Sequence, residues 1–219
     1  MTTLLYGGNL RWQKYYLLKQ IQDQLNKAVS VKLYHTFLEQ YQKSNPNDEI
    51  TELDLFEENL PYYDTDKING MFKLSKGMEL TASEKEATDL VEKYLNQFLE
   101  ADKVVIAFPL WNFTVPAVLH TYLDYLAQAG KTFRYTAEGP VGLLTDKKIA
   151  LLNARGGVYS EGPAQAAEMA VNYVNTMLNF WGVQDISTVI IEGHNQFPDQ
   201  AETIIGEGLE KAATVAETF

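Results

Sequence analysis

The chain has 219 residues, 46% of them hydrophobic, a formal net charge of −11 and no cysteine. Length and apolar content suit one α/β domain with a sizeable core, while the acidic balance argues against general nucleic-acid binding, which needs a basic face. The missing cysteines exclude disulfides, thiolate zinc sites and a cysteine nucleophile. A run of about 18 uninterrupted apolar residues and a signal-peptide layout are both lacking, so a cytoplasmic protein is expected, with no membrane span and no export.

After a polar, helix-favouring start, Glu49–Leu55 alternates Ile50, Leu53 and Leu55 with acids and reads as a short edge strand. Glu57 and Glu58 read as a solvated loop, and Pro61–Met78, long and polar, as a surface excursion. Thr81–Leu99 is a helix: Leu90, Val91, Tyr94, Leu95 and Phe98 keep its spacing, and Thr81 with Glu84 forms a capping box. Lys103–Phe108 is a short, β-branched apolar run of the kind covered on both faces in a parallel sheet, ended by Pro109. Ala117–Ala129 is the following helix, stopped by Gly130. Gly130–Asp146 reads as a second excursion, and Lys148–Asn153 as a second buried strand. Ala164–Trp181 is amphipathic and ends at Gly182, Ile186–Ile191 is the last strand, and Pro198–Thr218 a closing helix. Alternation of strand and helix predicts a doubly wound parallel sheet in a single domain, residues 1–219.

Two turns follow central strands and so belong to the same rim, where doubly wound proteins bind ligands. The first, Leu110-Trp111-Asn112-Phe113, is apolar and flat; a hydrophobic plug over the core explains it equally well. The second, Ala154-Arg155-Gly156-Gly157-Val158-Tyr159, has paired glycines that let backbone N–H groups approach a planar, oxygen-bearing ligand. Taken alone, it is also an ordinary tight turn. Together they make a groove suited to a heteroaromatic ring rather than a metal. The three histidines, His35, His120 and His194, lack metal-ligand spacing, and neither a nucleophile elbow nor a Walker-type loop occurs. With no dedicated acid, base or nucleophile, a cofactor is expected to carry the chemistry.

Pro109–Phe113, Lys131-Thr132-Phe133-Arg134-Tyr135 with Gly139-Pro140, and Ala154–Tyr159 with Glu161-Gly162-Pro163 resemble, in the same order, the motifs of the FMN-dependent NADH azoreductases, also described as NADH:quinone oxidoreductases. The resemblance covers Ala28 to the C-terminus. It implies a flavodoxin-like fold with a five-stranded parallel sheet, a homodimer and one FMN per active site at the dimer interface. It further implies a ping-pong reaction in which NADH reduces the flavin and two electrons pass to a quinone or azo compound. Leu110, Trp111, Asn112 and Phe113 would then hold the isoalloxazine edge, and Ala154, Arg155, Gly156 and Gly157 its pyrimidine side. Phe133 and Tyr159 would line the substrate side. The family often has Ser where this chain has Ala154, which removes one hydroxyl contact.

The first 27 residues depart from the family, which places a buried first strand and a phosphate-holding loop there. With suitable codons, the segment from Arg11 read one base out of frame becomes Met-Ala-Lys-Val-Leu-Leu-Ile-Lys-Ala-Asn-Pro-Arg-Pro-Ala-Glu-Gln, a family-like strand and loop. Residues 1–27 are therefore read as frame-displaced; an unbroken open frame in independent DNA reads, with this peptide found in the native protein, refutes that reading. Without the loop, Ser30 is the phosphate contact left at a matching position, and FMN affinity is expected to fall. Thr2–Tyr6 is the candidate replacement strand, with Leu10–Tyr41 then one long helix. The alternative outcome is an inactive flavodoxin-like dimer without cofactor. The long loops disfavour a simple electron carrier.

Overall fold

A computed structural model of the chain describes residues 11–15 and 28–219. In chain order its elements are β1 (Arg11–Tyr15), α1 (Val29–Ser44), β2 (Glu49–Leu53), α2 (Thr65–Ser75), α3 (Ala82–Leu99), β3 (Lys103–Pro109), α4 (Ala117–Leu126), β4 (Phe133–Thr136), β5 (Gly139–Gly142), β6 (Lys148–Arg155), α5 (Val171–Phe180), β7 (Asp185–Glu192) and α6 (Ala201–Thr218). Strands β3, β6 and β7 form one parallel sheet with β6 in the middle. Strands β1 and β2 form a parallel pair, Arg11 opposite Glu49 and Tyr15 opposite Leu53, and β1 adjoins β3. By that contact the strands follow the order β2, β1, β3, β6, β7 of a flavodoxin-like fold, with ladder hydrogen bonds assigned within the β2–β1 pair and within β3–β6–β7.

Val104–Phe108 are at most 1% exposed although successive side chains point to opposite faces, so the sheet is covered on both. Helix α1 packs over β3 and β6 and against α6. Its buried stripe of Leu33, Tyr34, Phe37 and Tyr41 meets Phe219 through ring edges. Tyr94 of α3 meets Tyr122 and Tyr125 of α4 edge to face. The expected capping box at Thr81 is present, Thr81 Oγ1 accepting the Glu84 N–H and Glu84 Oε2 the Thr81 N–H. No helix among the described residues is long and apolar enough to cross a membrane.

Several expectations need correction. Arg11–Tyr15 is a strand and α1 begins at Val29, so Leu10–Tyr41 is not one helix. The proposed strand Thr2–Tyr6 and the missing phosphate loop lie outside the described residues. The excursion Pro61–Met78 contains helix α2, capped by Asp64. It went unseen because it docks through Gly70, set against Thr88 and the Glu84 backbone, and through the Lys73–Glu84 ion pair at 2.6 Å, while Ile68 and Phe72 face outward. Glu58 is half-buried and accepts the Tyr94 hydroxyl, so it is not simply solvated. Helix α5 starts later than expected because the Glu168 carboxylate takes the N–H groups of Ala170, Val171 and Asn172, fixing the first turn there.

The second excursion is a hairpin of β4 and β5 laid on the end of α5, where Phe133 packs on Phe180 with centroids 4.5 Å apart. At its base a Cβ on Gly142 falls 2.1 Å from Gly182 N and 2.2 Å from Trp181 C, both backbone atoms that cannot give way. Gly142→Ala is therefore expected to cost about 2–3 kcal/mol of unfolding free energy, read as a lowered urea midpoint with an unchanged slope.

Candidate functional site

The β3–β6 ladder stays in register to its carboxyl end, where Pro109 stands opposite Ala154. One residue on, the Leu110 N–H donates to Ala154 O at 3.1 Å, so the two rim turns leave the sheet side by side. The first turn is tight: Trp111 and Thr114 exchange N–H···O bonds of 2.9 and 3.0 Å, and the two residues between them have φ of 48° (Asn112) and 71° (Phe113). Positive φ at both central positions defines a type I′ turn, which prefers Asn-Gly. Asn112 suits its place; Phe113 is strained there, at a cost of about 1–2 kcal/mol. Its carbonyl is pinned by the Met169 N–H at 2.8 Å.

The second turn is held by a third, Gly193–Phe197, which follows β7. Asn195 and Gln196 donate their N–H groups to Gly156 O at 3.0 and 3.1 Å, and Gln196 Oε1 accepts the Val158 N–H at 2.9 Å. A Cβ on Gly156 falls 2.4 Å from Asn195 Nδ2, so glycine there is what lets the Asn195 amide lie across the backbone. Glu192 accepts the N–H groups of Tyr159 (2.9 Å) and Ser160 (3.2 Å) and the Ser160 hydroxyl. Burial alone raises its pKa, but those bonds and the Arg155 charge outweigh it and hold the carboxyl below its ordinary range.

The groove between the turns has a volume of about 490 Å³ and is lined by Leu110, Asn112, Phe113, Gly156, Gly157, Tyr159, Asn195 and Gln196. Phe113 and Tyr159 meet edge to face across it, with centroids 6.3 Å apart. The backbone N–H groups of Asn112, Phe113, Gly156 and Gly157 find no acceptor among the described residues. A neighbouring cavity of about 540 Å³ runs from Leu110 and Ala154 to Ser30 and His194. Ser30 is in the first turn of α1, a helix start with no side-chain cap. The Val29 and Ser30 N–H groups, which find no acceptor among the described residues, and the helix dipole favour an anion. Burial lowers the His194 pKa below its ordinary value.

Of the residues expected to form the site, Leu110, Asn112, Phe113, Gly156, Gly157 and Tyr159 come together in the groove, and Ser30, Trp111, Ala154 and Arg155 border the adjoining cavity. The Arg155 guanidinium, however, is buried in ion pairs with Glu168 (3.3 Å) and Glu192 (2.8 Å). Phe133 is 7% exposed and packs on Phe180, not in the groove. Sequence reasoning missed Asn195 and Gln196 and set His194 aside; the available signal was a glycine turn, Glu192-Gly193, at the end of the third parallel strand.

Three comparisons bear on this geometry. Residues 21–215 match the model of a family described as flavodoxin-like fold. An FMN-dependent NADH:quinone oxidoreductase of Bacillus cereus is 66% identical over 193 residues, 88% of this chain and 93% of that protein. The crystal structure of an azoreductase from Bacillus anthracis matches with a TM-score of 0.90 at 61% identity, covering 94% of this chain and 98% of that one. The chain belongs to this flavodoxin-like oxidoreductase family. An FMN-dependent NADH-azoreductase of Bacillus anthracis in complex with FMN is a more distant member, 31% identical with a TM-score of 0.78, over 87% of this chain and 92% of that one.

The residues present fit FMN. A flat apolar turn faces a glycine turn across a gap with unused N–H donors on both sides, as a ring with one polar edge requires, and an uncapped helix start adjoins it for a phosphate. Phe113→Gly, which completes the preferred Asn-Gly turn, is expected to raise unfolding free energy by about 1 kcal/mol in urea titration while weakening ligand binding; a loss of stability contradicts the strain.

Proposed function

We propose that the chain is an FMN-dependent oxidoreductase that carries two electrons from NADH to quinones and azo compounds in a ping-pong reaction. The supporting observation is the convergence of two strand-end turns, joined by the Leu110–Ala154 hydrogen bond, on one groove with free N–H donors on both sides. Bound there, FMN would supply the two-electron redox chemistry between NADH and the acceptor. The amides of Asn112, Phe113, Gly156 and Gly157 would hold the ring's polar edge, and Leu110 and Trp111 would exclude water from its side. Ser30 and the start of α1 take the phosphate. Phe113 and Tyr159 offer aromatic faces to a planar acceptor. No alternative as a cofactor-free protein gains support from the geometry.

The site is proposed to be completed by a second copy of the chain in a cytoplasmic homodimer. Trp111 and Phe113 are 43% and 49% exposed, and a largely apolar cavity of about 610 Å³ lies behind them, lined in part by Phe56, Tyr62, Tyr63 and Val118. Large exposed aromatics around a pocket mark an interaction surface. Tyr135, on the same hairpin as Phe133 and 73% exposed, is the aromatic of that loop proposed to meet a partner subunit.

The purified chain, loaded with FMN, is expected to oxidise NADH in the presence of a quinone with parallel-line initial-velocity plots and to sediment at twice the chain mass. Loaded protein that leaves NADH unoxidised contradicts the function, and a monomer of full activity contradicts the shared site.

A further inference from the structure

Resting on that reading of the groove, we infer that Glu168, Arg155 and Glu192 form a positioning device that ties the Tyr159 wall to the Phe113 wall and sets the width open to a planar acceptor. The Arg155 side chain is 2% exposed, with Nη1 3.3 Å from Glu168 Oε1 and Nη2 2.8 Å from Glu192 Oε2. Its Nε donates to the same Glu192 oxygen at 2.8 Å. Each carboxylate then reaches one wall. Glu192 holds the Tyr159 and Ser160 amides, and Arg155 also lies 5.8 Å from the Tyr159 ring centroid, a cation–π distance. Glu168 takes the N–H groups at the start of α5, and Met169, next to it, gives its own N–H to Phe113 O at 2.8 Å.

Beside the direct edge-to-face contact of Phe113 and Tyr159, a second link between the walls thus runs through one guanidinium, which donates a charge-assisted hydrogen bond from Nε to Glu192 and is ion-paired with Glu168. Apolar packing can stabilise a fold as well as a buried ion pair does, but it does not impose directional contacts of this kind. Arg155 and its two acids are positioning residues: they act on the groove through Tyr159 and Phe113.

Glu192→Gln and Ser160→Ala, made in the full chain, test the device. In the flavin-free protein, amide hydrogen exchange in Glu192→Gln is expected to quicken roughly tenfold at Tyr159 and Ser160, and also at Met169 across the triad, with the β3 amides unchanged. Quickening confined to Tyr159 and Ser160 overturns the coupling and leaves a local anchor. Should Glu192→Gln fail to fold, Ser160→Ala, which removes one exposed contact to Glu192, carries the same comparison with a smaller effect. In FMN-loaded enzyme, KM for a two-ring azo dye is expected to shift severalfold more than KM for para-benzoquinone; parallel shifts, or none, overturn the role in width. Wild-type enzyme that reduces neither acceptor refutes the redox reading instead, and the exchange result still decides whether the walls are coupled.

Discussion

The hydrogen bond from the Leu110 N–H to Ala154 O, just past the last rung of the β3–β6 ladder, fixes where the groove can form. A ladder in register to Pro109 and Ala154 delivers two turns to one rim at the spacing of adjacent strands. A slip of one residue would turn Val104–Phe108 inside out and separate the turns. The site is thus set by the core: the same buried runs that close both faces of the sheet decide which backbone amides face each other above it.

The turns themselves are held open against their own preferences. Phe113 sits in a conformation that suits glycine, and the free amides of four groove residues are unused within the described chain. Surrounding bonds oppose collapse: Met169 pins Phe113, Asn195 and Gln196 pin Gly156, and Glu192 pins Tyr159 and Ser160. Strain that persists at a ligand site under such over-determination is the usual sign of preorganisation. The third turn, after β7, matters as much as the two that line the groove, because it supports the second from behind.

How far this was legible in the sequence differs by element. Strands β3 and β6 could be read because Val104–Phe108 and Ile149–Leu152 are continuous apolar runs, and the rim turns because Pro109 and Gly156-Gly157 punctuate them, whereas β1, in a polar and helix-favouring stretch, could not. Helix α2 was not legible, since its apolar Ile68 and Phe72 face outward and it docks by Gly70 and an ion pair. Arg155 belonged to a recognisable motif, yet its partners Glu168 and Glu192 are remote in sequence, so nothing local showed its guanidinium turned into an ion-pair cluster. The family resemblance implies Phe133 on the substrate side, but no local signal shows that its loop is a hairpin whose packing on Phe180 buries that ring and leaves Tyr135 outside. Composition could not anticipate Asn195 and Gln196, because their role depends on β7 lying next to β6.

The most direct test is a two-dimensional amide spectrum of the flavin-free chain titrated with FMN. If one ring is gripped from both sides, the amides of Asn112 and Phe113 and those of Gly156 and Gly157 shift together and saturate at the same FMN concentration. Shifts in one pair alone, or saturation at different concentrations, contradict a single flavin held between the two turns.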